Sequence, residues 1–109
     1  MSWSERIRLK HLQVLIRLCE EKSMSDVARQ SNMTQPALSK WLKDFEDNIG
    51  MPLFERHARG IEPLPAALAL VSQAQGVLNR LDRMSATLEQ YRQGFRQQFT
   101  WGISPVVAA

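Results

Sequence analysis

Pro36, Ser39, Lys40 and Lys43 fall on one side of a single helix in the stretch TQPALSKWLKDFEDNIG, residues 34–50. At 100° per residue, Leu38, Leu42, Phe45 and Ile49 fall on the other side as a core stripe. A small and basic face near a helix N-terminus suits close approach to a nucleic acid, and each residue type has a use there. Gln35 matches an adenine edge, and Pro36 and Ala37 offer compact apolar surface to a thymine methyl. Ser39 adapts to donor or acceptor, and Lys40 and Lys43 reach guanine acceptors or phosphates. Ser25 and Thr34, at the starts of two helices, stand where free N–H groups and hydroxyls meet phosphate oxygens. Arg56, His57 and Arg59 form a basic tip that fits a flanking minor groove.

Each of these residues also has a plainer reading. Lysines on an exposed helix face can be solvated surface, and Arg56 can pair with Glu46 or Asp47. Arg59 has fewer acids nearby and is the better candidate for DNA. Cys19 lies on an apolar stripe, as a packed thiol does, and Trp41 lies at the rim of the core stripe. With one cysteine and two distant histidines, His11 and His57, no metal cluster or catalytic triad is expected. The glycines form no phosphate-cradling loop, so no catalysis is expected.

The elements that position these residues follow from local signals. Thr34 can cap the helix, Pro36 sits in its first turn, and Gly50 followed by Pro52 ends it. Before it, residues 8–21 carry Leu9, Leu12, Leu15, Ile16 and Cys19 at helical spacing. A short helix capped by Ser25 then covers residues 26–30, and Ser31-Asn32-Met33 joins it to the next. Two short helices so joined make a helix-turn-helix. Leu53 to Arg56 and Ile61 to Pro63 read as the strands of a hairpin turning at Gly60.

From Pro65 onward the pattern is one long helix of about 30 residues, or ~45 Å at its usual rise. Leu68, Val71, Leu78, Leu81, Leu88, Tyr91 and Phe95 recur along it, with Ser85 interrupting the seam. A stripe of that length wants a partner helix, most simply a second copy of the chain. The end, FTWGISPVVAA, alternates like a strand without a partner and is expected to open a further domain. The expected class is therefore mainly α: a winged helix-turn-helix of three helices and a β-hairpin wing, then a long dimerisation helix. Its expected parts are residues 1–64, 65–97 and 98–109.

The totals set bounds on this reading. A chain of 109 residues with 44% hydrophobic and 23% charged residues makes one modest core. Net charge is +3, from 14 Lys and Arg against 11 Asp and Glu. That sum is too small to argue for nucleic acid, so the clustering must carry the argument. The single cysteine suits a reducing compartment, and no segment has signal-peptide or transmembrane character. A cytoplasmic protein without membrane association is expected.

The segments TQPALSKWL and IGMPLFERHARG, at their spacing from DVARQSNM, resemble the N-terminal domain of the LysR-type bacterial transcriptional regulators. The resemblance runs from Leu9 to Leu64, with the following helix similar in pattern. It implies a winged helix-turn-helix whose linker helix pairs antiparallel with that of a second subunit, so that two reading helices meet an inverted repeat. It further implies a small-molecule effector bound by a C-terminal domain, no cofactor in the present chain, and assembly as dimers or tetramers. By position, Gln35, Pro36, Ser39 and Lys40 match the family's base-reading residues, Arg59 its wing contact, and Ser25 and Thr34 its phosphate contacts. Lys40 departs from the arginine often found there and loses the bidentate fork on guanine. Leu64-Pro65 replaces the family's usual threonine cap. The same elements would also serve a winged helix used for protein contact, or a dimerisation module that binds no DNA.

Overall fold

A computed structural model describes residues 2–100, with side chains through Gln98. After a short 3-10 turn, Trp3–Glu5, the first helix α1 spans Leu9–Glu21. The turn was not expected from the sequence; the Trp3 ring seats edge-on against Phe45, with centroids 5.6 Å apart. At the start of α1 the Arg8 backbone N–H donates to His11 Nδ1 at 3.1 Å, satisfying one of the groups a helix start leaves open. Leu12, Val14, Leu15, Ile16 and Leu18 are buried, a wider face than the expected stripe, because other elements pack on more than one side of α1. Leu9, placed on that stripe by its spacing, is 49% exposed in the first turn. Lys22 ends α1 in the left-handed region at φ 57°.

Helix α2 covers Met24–Gln30 and is capped by Ser23, whose Oγ accepts from the Asp26 N–H at 3.3 Å. This corrects the expectation that Ser25 is the cap: Ser25 lies inside the first turn, where its hydroxyl meets only that of Ser23. The turn that follows is a Schellman closure. Asn32 takes φ 55°, its N–H donates to the Arg29 carbonyl at 3.3 Å, and Met33 donates to the Ala28 carbonyl at 2.9 Å. Arg17 of α1 donates to the Gln30 carbonyl and the Ser31 hydroxyl, pinning the end of α2 with a cation where the helix dipole favours one.

Helix α3, Gln35–Ile49, has both expected ends. The Ala37 N–H donates to Thr34 Oγ1 at 3.2 Å, and Gly50 closes the helix at φ 81°. Leu38, Leu42 and Phe45 are buried and Ile49 is partly so. Strands β1, Phe54–His57, and β2, Gly60–Pro63, pair antiparallel with Phe54 opposite Pro63 and His57 opposite Gly60. Pro63 thus sits at the end of the ladder, where its missing donor matters least.

Helix α4 runs Pro65–Thr100, starting at the expected proline and without a side-chain cap. The N–H groups of Ala67 and Leu68 both donate to the Leu64 carbonyl. Residues 98–100, read on sequence as the opening of another domain, continue this helix. The rest of the expected strand lies outside the described residues.

The chain divides into two compact units at Gly76 and Val77. In the first, Leu15, Leu18, Val27, Leu38, Leu42, Leu53 and Ile61 are the most deeply buried large side chains, so α1, α2, α3 and the hairpin share one core. Ala67 joins that core, with Ala66, Leu70 and Val71 packed against it. Val71, assigned on sequence to a dimer seam, thus already leans on its own chain. The second unit carries the remainder of α4, on which Met84, Leu88 and Tyr91 are 58%, 71% and 76% exposed.

Candidate nucleic-acid interface

The N-terminal half of α3 is held from behind. Trp41 stacks on His11, with centroids 4.7 Å apart, and on Phe45 at 5.3 Å, so α3 is buttressed from α1 along its non-core flank. Burial, and then the charges of Lys10 and Arg8, hold His11 below the usual histidine value. That keeps the imidazole neutral and able to accept from Arg8. Cys19 is partly buried, and its thiol is pushed up by burial and by Glu20. It is a packing thiol away from α3's basic face.

The hairpin is tied to α3 at two places and to α1 at a third. Glu46 Oε2 accepts the Leu53 N–H at 2.6 Å and the Phe54 N–H at 3.2 Å, so the carboxylate grips the start of β1. Arg56 Nη1 donates to Ser39 Oγ at 2.6 Å and Nη2 donates to the Ser39 carbonyl at 3.3 Å. The sequence-based alternative, Arg56 paired with Glu46 or Asp47, is therefore not what forms; the Glu46 carboxylate is occupied by backbone amides. Against α1, the Ile61 N–H donates to the Lys22 carbonyl at 3.2 Å.

These ties leave a groove of about 370 Å³ between the start of α2, the start of α3 and the wing. Ser25, Gln35, Ser39, Arg56 and Arg59 all line it, together with Ser23, Met24 and His57. Thr34, Pro36, Lys40 and Lys43 are not among its lining residues. Gln35, Pro36, Lys40 and Lys43 are exposed on α3. Lys40 donates to Asp44 at 3.0 Å, an exposed pair one turn apart. The i to i+4 spacing places Asp44 within reach of Lys40 on the same helix. The side chains of Lys43 and Arg59 make no hydrogen bond or ion pair among the described residues. His57 lies 3.7 Å from Glu62 across the hairpin, a contact that spacing alone does not show.

Sequence reasoning missed Ser23 and Glu46. Ser23 had a local signal, a hydroxyl residue immediately before the helix, but Ser25 competed with it. Glu46 had none, because its partners lie beyond the end of its own helix.

A family model described as "Bacterial regulatory helix-turn-helix protein, lysR family" matches residues 9–68. The chain is 36% identical over 89 residues to the HTH-type transcriptional regulator GbpR of Azospirillum brasilense, covering 82% of this chain and 26% of GbpR. It is 38% identical over 79 residues to the HTH-type transcriptional regulator GalR of Pseudomonas putida, covering 72% of this chain and 20% of GalR. Among solved structures, the crystal structure of the BenM DBD complex with benA site 1 DNA matches with a TM-score of 0.72 and 26% identity. That match covers 81% of this chain and 99% of the other. The chain thus spans about a quarter of the length of the first of these relatives. With the helix-turn-helix, the wing and the long helix all in place, the chain belongs to the lysR family of bacterial regulatory helix-turn-helix proteins.

Proposed function

We propose that this chain binds double-stranded DNA in a sequence-specific manner, as a dimer, on an inverted-repeat operator. The N-terminal half of α3 enters the major groove and the tip of the wing meets the flanking minor groove. The observation that carries this reading is the convergence of Ser25, Gln35, Ser39, Arg56 and Arg59 on one groove from three separate segments. Gln35, Pro36, Ser39 and Lys40 are the base-reading set, and Lys43 and Arg59 supply positive charge to the backbone. Ser25 contributes a hydroxyl, and Thr34 an N-terminal turn, to phosphates. Dimerisation through α4 spaces two reading helices one helical turn apart, ~34 Å. Residues 1–64 act as the reading domain and 65–97 as the linker, in a cytoplasmic regulator whose chemistry is binding rather than catalysis. Effector sensing and any higher assembly to tetramers belong to a further domain of the kind the family resemblance implies.

The test is a salt titration on a duplex selected from random DNA, with Lys40→Ala and Arg59→Ala beside the wild type. A base contact at Lys40 lowers affinity by about 1–3 kcal/mol and relaxes selectivity at one position. A phosphate contact at Arg59 lowers the slope of log K against log[salt] by about 0.9. Wild-type binding that does not respond to salt, or both variants binding as the wild type does, would sink the assignment. The groove would then belong to a protein partner.

A further inference from the structure

Two arginines stand in the wing three residues apart, and the fold treats them differently. The Arg59 side chain makes no hydrogen bond or ion pair among the described residues, whereas the Arg56 guanidinium is turned back onto α3, with both terminal nitrogens donating to Ser39. A guanidinium only donates, so in the 2.6 Å contact the Ser39 oxygen must accept. The hydroxyl keeps its one proton. Elsewhere in the chain such a proton turns back to its own helix, as the Thr87 hydroxyl does to the Arg83 carbonyl. Among the described residues Ser39 makes no such bond, and it lines the groove beside Gln35. Its O–H is polarised by the cation bonded to its oxygen, which strengthens it as a donor. The same positive charge opposes any amino group that approaches to donate.

We infer that Arg56 is a positioning residue: it fixes the Ser39 hydroxyl as a hydrogen-bond donor, so that Ser39 selects an acceptor edge over an amine. The acceptors available in the major groove are purine N7, guanine O6 and thymine O4; the cytosine N4 and adenine N6 amines are disfavoured. This rests on the DNA-binding reading above and reassigns Arg56 within it. The wing then divides its labour, with Arg59 facing DNA and Arg56 facing the protein. The two-pronged grip also needs arginine. A lysine ammonium is a single point charge and cannot engage the Ser39 hydroxyl and carbonyl with a planar fork.

The experiment uses the full chain and a duplex selected by the wild type from random DNA. Affinity is measured across a salt series for Ser39→Ala, Arg56→Ala, Arg56→Lys and the Ser39→Ala/Arg56→Ala double variant, with thermal melts to show that each is folded. Ser39→Ala and Arg56→Ala each lose roughly tenfold in affinity, and the double variant is no weaker than Ser39→Ala. Arg56→Lys behaves like Arg56→Ala, the salt slope stays at its wild-type value, and reselection with either single variant relaxes preference at the same base pair. Arg56→Lys binding as the wild type does would overturn the inference. So would an Arg56→Ala loss that persists in the Ser39→Ala background with a salt slope lower by about 0.9, the mark of a direct phosphate contact. If the wild type selects no duplex, the DNA-binding reading itself has failed, and that outcome precedes any variant.

Discussion

Gly60 holds φ at 140°, and a Cβ placed there would stand 2.4 Å from the Lys22 carbonyl oxygen. Both the left-handed backbone and the close approach therefore exclude a larger residue. Gly60→Ala should cost about 3 kcal/mol, combining backbone strain with a forced backbone shift, and thermal unfolding by circular dichroism checks it. The sequence showed Gly60 as a turn residue through composition alone; its contact with the end of α1 is non-local and left no trace there. His11 makes a second prediction at this scale. Burial, then Lys10 and Arg8, lower its pKa in the folded state from the ordinary 6.5. As pH falls below that value the unfolded chain takes up the proton first, so stability present above about 6.5 is lost on acidification. Replacing His11 with Gln keeps an acceptor for the Arg8 N–H and should flatten the dependence of urea midpoints on pH below 7. An equally steep dependence in the variant would remove His11 as its source.

Among the elements, α3 was the most legible because its signals are local: Thr34 and Pro36 at the start, Gly50 and Pro52 at the end. The α2 cap was less so, since Ser23 and Ser25 both qualify and only the position of the Asp26 N–H decides between them. The attachment of the wing was not legible at all, because Glu46 reaches amides seven and eight residues along the chain. Removing that carboxylate leaves two part-buried N–H groups unmatched. Glu46→Ala should therefore destabilise the domain by about 2 kcal/mol. Glu46→Gln, which keeps an acceptor without the charge, should lose roughly half as much. Equal losses in the two variants would mean that a neutral acceptor recovers nothing and the contact rests wholly on the charge, whereas no loss in Glu46→Gln would mean that the charge contributes nothing.

For the whole molecule, the question is what covers α4. Met84, Leu88, Tyr91 and Phe95 advance by four, three and four residues and are each at least 50% exposed. The sequence placed Leu88, Tyr91 and Phe95 on this stripe with Ser85 as its polar interruption; Met84, one position before Ser85, is the exposed apolar residue four positions before Leu88. An apolar stripe of this kind favours a partner helix. Leu88→Glu should shift the sedimentation equilibrium of the chain toward monomer at micromolar concentration, while Thr87→Glu, off the stripe, should not. A native-size species from Leu88→Glu would exclude the stripe as the seam. The face proposed to read DNA has the opposite character. Gln35, Pro36, Lys43 and Arg59 are exposed and carry little of the core, so their identities are free to drift without threatening the fold. Ser39 is not free in this way, because Arg56 depends on it. If the chain reads DNA as proposed, a lineage built on this scaffold acquires new operators by changing Gln35 singly, but has to change Ser39 and Arg56 together.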